Sequence, residues 1–264
     1  MRLTKKIKGE LNELFLFELE DRFAVEAVFY RGDTLCVSTQ VGCRVGCRFC
    51  ASGSKGLFRS LRADEIVKQV ELVARERPVK RVAVAGIGEP LANWRSVKEA
   101  FFRLKERGLK VSFYTVGSPL KHLRELLSLP HAGVTVSLHA LDKEKRRALL
   151  PGAGPPDGLI ALLEDELPRL SAKKRKKVSL GYLLLRGVND SEEELRRLAT
   201  LAKRLGVGVT LLYYNRVGPF EPPTAEEYER AFLLLRSEGV RVTLSTRFRK
   251  DRLGGCGTLV VNRL

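Results

Sequence analysis

The chain has 264 residues, 44% of them hydrophobic, with 48 basic against 31 acidic residues and a formal charge of +17. That length supports one sizeable core, and no apolar run approaches the roughly 18–20 residues that cross a bilayer, so no membrane partner is expected. The first residues lead into acidic, amphipathic sequence, not an apolar leader, and a cytoplasmic location is expected. The basic excess favours a polyanion, and nucleic acid over a membrane surface, because binding neutralises phosphates and releases counterions. The densest basic block, 173–177, is either part of such a surface or an ordinary solvated loop.

β-branched runs alternate with helical spacing along the chain. The first predicted strand, 35–40, runs straight into a group of cysteines. A helix is predicted over 63–76 from Ile66, Val67, Val70 and Val73, with Asp64 and Glu65 at its positive end. Strand 81–85, helix 96–106, strand 110–116, helix 119–127 and strand 133–138 follow. Helices near 143–150 and 159–170 precede strand 178–184. Helix 191–204, capped by Asp190 or Ser191, leads to strand 207–212, and helix 225–237 to strand 240–244. About six β-then-α units imply an α/β fold with a parallel sheet, since parallel strands need crossover connections. The expected architecture is a full or partial TIM-like (β/α)6 barrel, residues 35–264, behind a short N-terminal β extension, 1–34. Such barrels carry their chemistry at the C-terminal ends of the strands. The cysteine group, 86–90, 115–117, 137–139 and Asn215 all fall at that rim.

Five cysteines, an odd number without an export signal, argue against a disulfide framework. Cys43, Cys47 and Cys50 form a CxxxCxxC array. Three thiolates on a tight loop ligate three irons of a [4Fe–4S] cubane and leave the fourth open. S-adenosylmethionine (SAM) chelates an open iron through its amino and carboxylate groups. The alternative is zinc, which wants four ligands and would have to recruit His122, His131 or His139. Gly86-Ile87-Gly88-Glu89-Pro90 is by itself an ordinary strand-to-loop turn; after a cysteine loop of this spacing, Glu89 is a candidate to receive an amino group. Cys256 lies between Gly254-Gly255 and Gly257, as suits a loop that moves into an active site, whereas Cys36 reads equally as core or catalytic.

The stretch 35–43, the CxxC that follows it, 58–70, GIGEPLAN at 86–93, VSLHA at 136–140, LRGVND at 185–190, Asn215 and Cys256-Gly257 together resemble RlmN and Cfr. These are radical SAM adenosine methyltransferases that act on RNA, and the likeness covers most of 23–259. The resemblance implies a radical SAM partial barrel with a [4Fe–4S] cluster on Cys43, Cys47 and Cys50. It implies SAM contacts from Gly88, Glu89, Ser137, His139 and Asn215, with Phe49 shielding the adenosine. By the same likeness Cys256 takes a methyl from one SAM, and a radical generated from a second activates that methyl for addition to an adenine ring carbon. Glu26 then removes the ring proton, and Cys36 attacks the Cys256 sulfur to release the base, leaving a disulfide to be reduced. The implied partners are ribosomal or transfer RNA and an electron donor such as flavodoxin or ferredoxin, acting on a monomer. Carbon 2 of the adenine is favoured over carbon 8.

The sequence departs from the family in three places. It begins almost at the core, where relatives carry an N-terminal helical domain that helps grip RNA. Tyr114 stands where a serine is usual, and 246–255 lacks the usual acidic pattern before the cysteine. Arg247, Arg249, Lys250 and Arg252 are candidates to replace part of that grip. Two rival readings remain open: a radical SAM paralogue acting on another RNA base or a small molecule, and a non-catalytic zinc-containing RNA-binding module.

Overall fold

The structure, a computed structural model, describes residues 1–245, 250–251 and 253–262. Arg247, Arg249 and Arg252 lie outside the described residues. Three antiparallel strands open the chain: β1 (Arg2–Lys8), β2 (Asn12–Glu18) and β3 (Ala24–Tyr30). β4 (Thr34–Val37) turns back on β3 with Val28 opposite Cys36. β5 (Gln40–Gly42) and β6 (Leu57–Ser60) then form a small separate hairpin that brackets the cysteine loop.

From there strands and helices alternate as the sequence predicts. α1 (Ala63–Ala74), β7 (Arg81–Val84), α2 (Trp94–Glu106), β8 (Lys110–Thr115), α3 (Leu120–Ser128) and β9 (Gly133–Ser137) are followed by α4 (Lys143–Leu149), α5 (Pro156–Glu166) and α6 (Ala172–Arg175). β10 (Val178–Leu184), α7 (Glu192–Leu205), β11 (Gly208–Tyr213), α8 (Ala225–Ser237) and β12 (Val242–Leu244) complete the order. One ten-stranded sheet runs β1-β2-β3-β4-β7-β8-β9-β10-β11-β12, parallel from β4 onward. β1 and β12 do not pair among the described residues, so the curve stays open and the expected barrel is partial.

The parallel strands read as near-continuous apolar runs because both faces are covered. β10 is buried along almost its whole length. Helices lay apolar stripes on the outer face: Ile66, Val67, Val70 and Val73 of α1 are buried, as are Leu195, Leu198, Ala202 and Leu205 of α7. Ser191, not Asp190, caps α7 by accepting the Glu194 amide, while Asp190 accepts the Gly187 amide in the preceding turn. Glu192, Glu193 and Glu194 open that helix, Lys203 and Arg204 close it, and Gly206 at φ +65° ends it.

Candidate active site at the C-terminal rim of the sheet

The chain leaves β4 through Ser38, which is held from three sides. Gln69 of α1 accepts its amide and donates to its carbonyl, both at 2.9 Å. The Ser38 hydroxyl donates to the Glu26 carbonyl and accepts the Ile87 amide. The path then enters the cysteine loop at Gly42 (φ +81°), where a Cβ would stand 2.0 Å from the Gly56 carbonyl. Cys43 donates its amide to that same carbonyl, and the Cys50 amide closes a turn on the Cys47 carbonyl. All three thiols pack against an apolar shell that includes Val45, Phe49, Leu149 and Leu150. Burial pushes the Cys43 thiol up to about 12 and raises Cys47 and Cys50 as well; repulsion among them adds to the rise at Cys43 and Cys47. A cationic group that binds three thiolates would relieve that penalty, so the donor set fits an iron–sulfur cluster. Among the described residues no three His, Cys, Asp or Glu side chains converge on a point that one metal ion would occupy.

The glycine-rich turn after β7 lies against the entry to this loop. A Cβ on Gly86 would meet Val37, and one on Gly88 (φ +110°) would meet Gln40 and Thr39 at 2.7–2.8 Å. Both positions therefore need glycine for packing as well as for any ligand. The Glu89 carboxylate is buried and accepts from the Leu91 amide (3.0 Å), the Val116 amide (2.8 Å) and the Thr115 hydroxyl. Burial pushes it up to about 7 despite those donors. Thr39 Oγ1 is buried beside Gly88 with no hydrogen-bond partner among the described residues.

Ser137 ends β9, and His139 follows in a left-handed conformation, φ +59°. His139 Nδ1 accepts the Leu183 amide at 2.9 Å, and its ring meets Phe49 edge-on at 5.1 Å. Burial, with the charge of Arg146, drives this imidazole down to about 3. The ring is neutral, and its proton sits on Nε2. Two residues without an assigned role in the sequence support this corner. Asn189 is fully buried; it donates to the carbonyls of His139 and Leu183 and accepts the Leu185 amide, all at 2.8 Å. Arg146 is fully buried on α4, and its guanidinium donates to the carbonyls of Val116, Ser137, Leu138 and Gly154. The sequence does carry a signal for it: Arg146 lies three and four residues before the core residues Leu149 and Leu150, on their helical face.

Cys36 and Cys256, 220 positions apart, line one cavity together with Cys50. Val28, Ser52, Gly86 and Leu259 share that lining, and the enclosed space is about 70 Å³. The strap that brings Cys256 there, 256–262, is bonded to three parts of the fold. Asn215 Nδ2 donates to the Cys256 carbonyl (2.9 Å), Ala51 donates to the Gly257 carbonyl (2.8 Å) and Glu26 Oε2 accepts the Val260 amide (2.9 Å). Glu26 is thus buried against the strap and is not among the residues lining the cavity.

The structure therefore gathers Cys36, Cys43, Cys47, Cys50, Glu26, Gly88, Glu89, Ser137, His139, Asn215 and Cys256 at one end of the sheet. It separates the basic block 173–177 from them. Lys174 and Lys177 donate to the carbonyls of Ser128 and His131, and Arg241 to that of Lys176, all just before strands begin. That is the opposite rim. His131 lies there too, and His122 is turned to the Leu91 carbonyl and stacks with Trp94.

The Radical SAM superfamily model matches residues 37–199. A "Probable RNA methyltransferase" of Ectopseudomonas mendocina is 36% identical over 252 residues, covering 92% of this chain and 72% of that protein. A "Probable dual-specificity RNA methyltransferase RlmN" of Carboxydothermus hydrogenoformans is 34% identical, with 97% and 78% covered. Among solved structures, a radical SAM methyltransferase from Sphaerobacter thermophilus superposes with a TM-score of 0.86 at 30% identity, covering 98% of this chain and 80% of that one. Streptococcus suis SuiB bound to S-adenosylmethionine, 16% identical, shares the fold with a TM-score of 0.62 over 80% of this chain and 49% of its own. The cofactors that go with this superfamily are a [4Fe–4S] cluster and SAM. On these grounds the chain is a radical SAM enzyme and belongs to the RNA methyltransferase family that includes RlmN.

Proposed function

We propose that the enzyme methylates an adenosine ring carbon, carbon 2 before carbon 8, in ribosomal or transfer RNA through a methyl-cysteine at Cys256. The observation that carries this reading is the cavity shared by Cys36, Cys256 and Cys50. A methyl-transfer route through two thiols needs both within reach of one substrate carbon and of the cluster. The cluster and SAM together supply one-electron chemistry, which an amidine carbon of adenine requires because it is not nucleophilic enough to attack a methyl sulfonium.

The chain's own residues have distinct parts in this scheme. Cys43, Cys47 and Cys50 hold the cluster. Gly88 gives the backbone room for the methionine end of SAM, and Glu89 receives its ammonium at an oxygen lone pair left over from three internal donors. His139 offers a fixed Nε2–H, with Ser137 and Asn215 alongside. The Cys256 thiolate displaces the methyl from one SAM, forming S–CH3 and releasing S-adenosylhomocysteine. The second SAM and the cluster would supply the acceptor for one hydrogen atom of that methyl and would take back the odd electron once the carbon has bonded to the base; Glu26 takes the ring proton. The Cys36 thiolate then attacks Cys256 sulfur, the carbon–sulfur bond breaks toward the base, whose new carbon takes up a proton to become the methyl group, and the disulfide is reduced by external thiol. Glu26 also accepts the Val260 amide, so proton removal and strap position meet at one carboxylate.

No described helix is long and apolar enough to cross a membrane, and a cytoplasmic monomer served by flavodoxin or ferredoxin suits this chemistry. Residues 1–34 then act as an extension of the core 35–264. The test is anaerobic reconstitution, incubation with total RNA, labelled SAM and reductant, and mass spectrometry of the digested nucleosides. A methyladenosine that disappears in Cys256→Ala supports the scheme and identifies the carbon. Cleavage of SAM without RNA methylation would assign the scaffold to another substrate.

A further inference from the structure

Ser52 follows Cys50 by two positions, in the turn Ala51–Gly53, and is buried. Its hydroxyl donates to the Leu259 carbonyl at 2.7 Å. One residue earlier, Ala51 donates to the Gly257 carbonyl. Contact between loop and strap is close: a Cβ on Gly257, at φ +79°, would stand 3.0 Å from the Phe49 carbonyl and 3.6 Å from the Cys50 Cα. The strap that carries Cys256 thus lies flat on the segment that carries Cys50.

We propose that Ser52 is a positioning residue that couples the cysteine loop to the Cys256 strap, so that the loop, when fixed by its cluster, seats the strap, and the seated strap steadies the loop. This rests on the assignment of Cys43, Cys47 and Cys50 as cluster ligands and not on the RNA substrate. The Ser52 hydroxyl has one proton, and it is committed to the Leu259 carbonyl of the strap. Three ligands tied to one cluster hold the turn Ala51–Gly53 in the shape that presents both the Ala51 amide and the Ser52 hydroxyl to the strap. Without that tie, the turn rests on local hydrogen bonds such as those from Ser54 to the Ala51 carbonyl. Coupling of this kind is reciprocal by linkage.

Hydrogen exchange over 255–262 tests the coupling in cluster-loaded and apo protein, with cluster content read by iron analysis and visible absorbance. In the wild type, exchange is expected to be about tenfold faster without the cluster, the scale of one ordinary hydrogen bond. Loaded Ser52→Ala should exchange like the apo protein, and Ser52→Thr, which keeps the hydroxyl, like the loaded wild type. Equal exchange in the loaded and apo wild type, or in loaded wild type and loaded Ser52→Ala, overturns the proposal. Should Ser52→Ala fail to load, Gly257→Ala decides from the strap side. It must release iron to a chelator several-fold faster than the wild type, and equal release overturns the coupling. A wild type that takes up no cluster overturns both this inference and the reading beneath it. A loaded enzyme that methylates no RNA overturns only the substrate.

Discussion

His139 Nδ1 accepts the Leu183 amide, which fixes the imidazole as the neutral Nε2–H tautomer in a wall of the site. A ring of this kind is a directional donor, not a proton carrier. It is expected to show no titration between pH 8 and about pH 4 in ring-nitrogen NMR spectra of the apo enzyme. A midpoint near the ordinary value of about 6.5 would remove it from this role.

Glu89 gives the site its pH dependence. Burial raises it to about 7, so in the folded chain its neutral form prevails below that pH and the carboxylate above it. Binding a cation selects the carboxylate. SAM affinity should therefore fall by about tenfold per pH unit below 7, with proton release that shows as a buffer-dependent enthalpy in calorimetry. Glu89→Gln should flatten the profile; an unchanged slope would place the titrating group elsewhere.

Among the described residues, Arg146 has no carboxylate partner; its guanidinium serves four carbonyls. Arg146→Met takes the donor from the Val116 and Ser137 carbonyls at about 1–3 kcal/mol each, while Leu138 keeps the Ala140 amide and Gly154 is exposed, so urea denaturation should show a loss of a few kcal/mol. Arg146→Lys should recover only part of it, because an ammonium lacks the planar fork. A loss under about 1 kcal/mol for Arg146→Met would mean that water takes over those carbonyls.

His131 predicts acid sensitivity at the far end of the sheet. Its ring is buried beside Lys174 and Lys177, and neither nitrogen has a well-formed partner among the described residues. Burial lowers it to about 4, with those two charges contributing. The sign follows from the depressed value of a base. Below about pH 6.5 the unfolded chain takes a proton that the folded chain refuses, so stability is lost as pH falls from there toward 4. At pH 5 the loss amounts to about 2 kcal/mol. His131→Leu should match or exceed the wild-type Tm at pH 7, and its advantage should widen toward pH 5; a constant difference would clear His131.

The block 173–177 should contribute little to RNA binding that ends in catalysis. Replacing its five basic residues with neutral ones is expected to leave the slope of log affinity against log salt unchanged, since the block lies at the opposite rim. A slope reduced by several units would show that RNA wraps around the sheet.

Periodicity made the parallel part of the fold legible. β10 matches its predicted bounds, and α8 does too, because apolar runs bounded by capping residues leave little choice. The CxxxCxxC spacing and the rim rule located the loops around Cys43, Gly88, His139 and Asn215. Where local pattern no longer decides, legibility ended. β5 and β6 are three and four residues long and are paired by tertiary context across the cysteine loop. Arg146 stands in a helix of cations on the helical face of Leu149 and Leu150, but its partners, the carbonyls converging on it, needed coordinates. Asn189 was visible inside a motif, but its task of holding the His139 turn needed coordinates.

The strap also bears on the order in which the active site is assembled. Ala24 bonds to Asn262 across 238 positions, Glu26 to Val260 across 234 and Ser52 to Leu259 across 207. Contacts of such separation form late, after the entropy of closing a very long loop has been met. During synthesis the strands that present the cysteine loop are complete well before residue 256 leaves the ribosome. The loop that carries Cys43, Cys47 and Cys50 is therefore made while Cys256 is still absent, and the strap packs onto it afterwards.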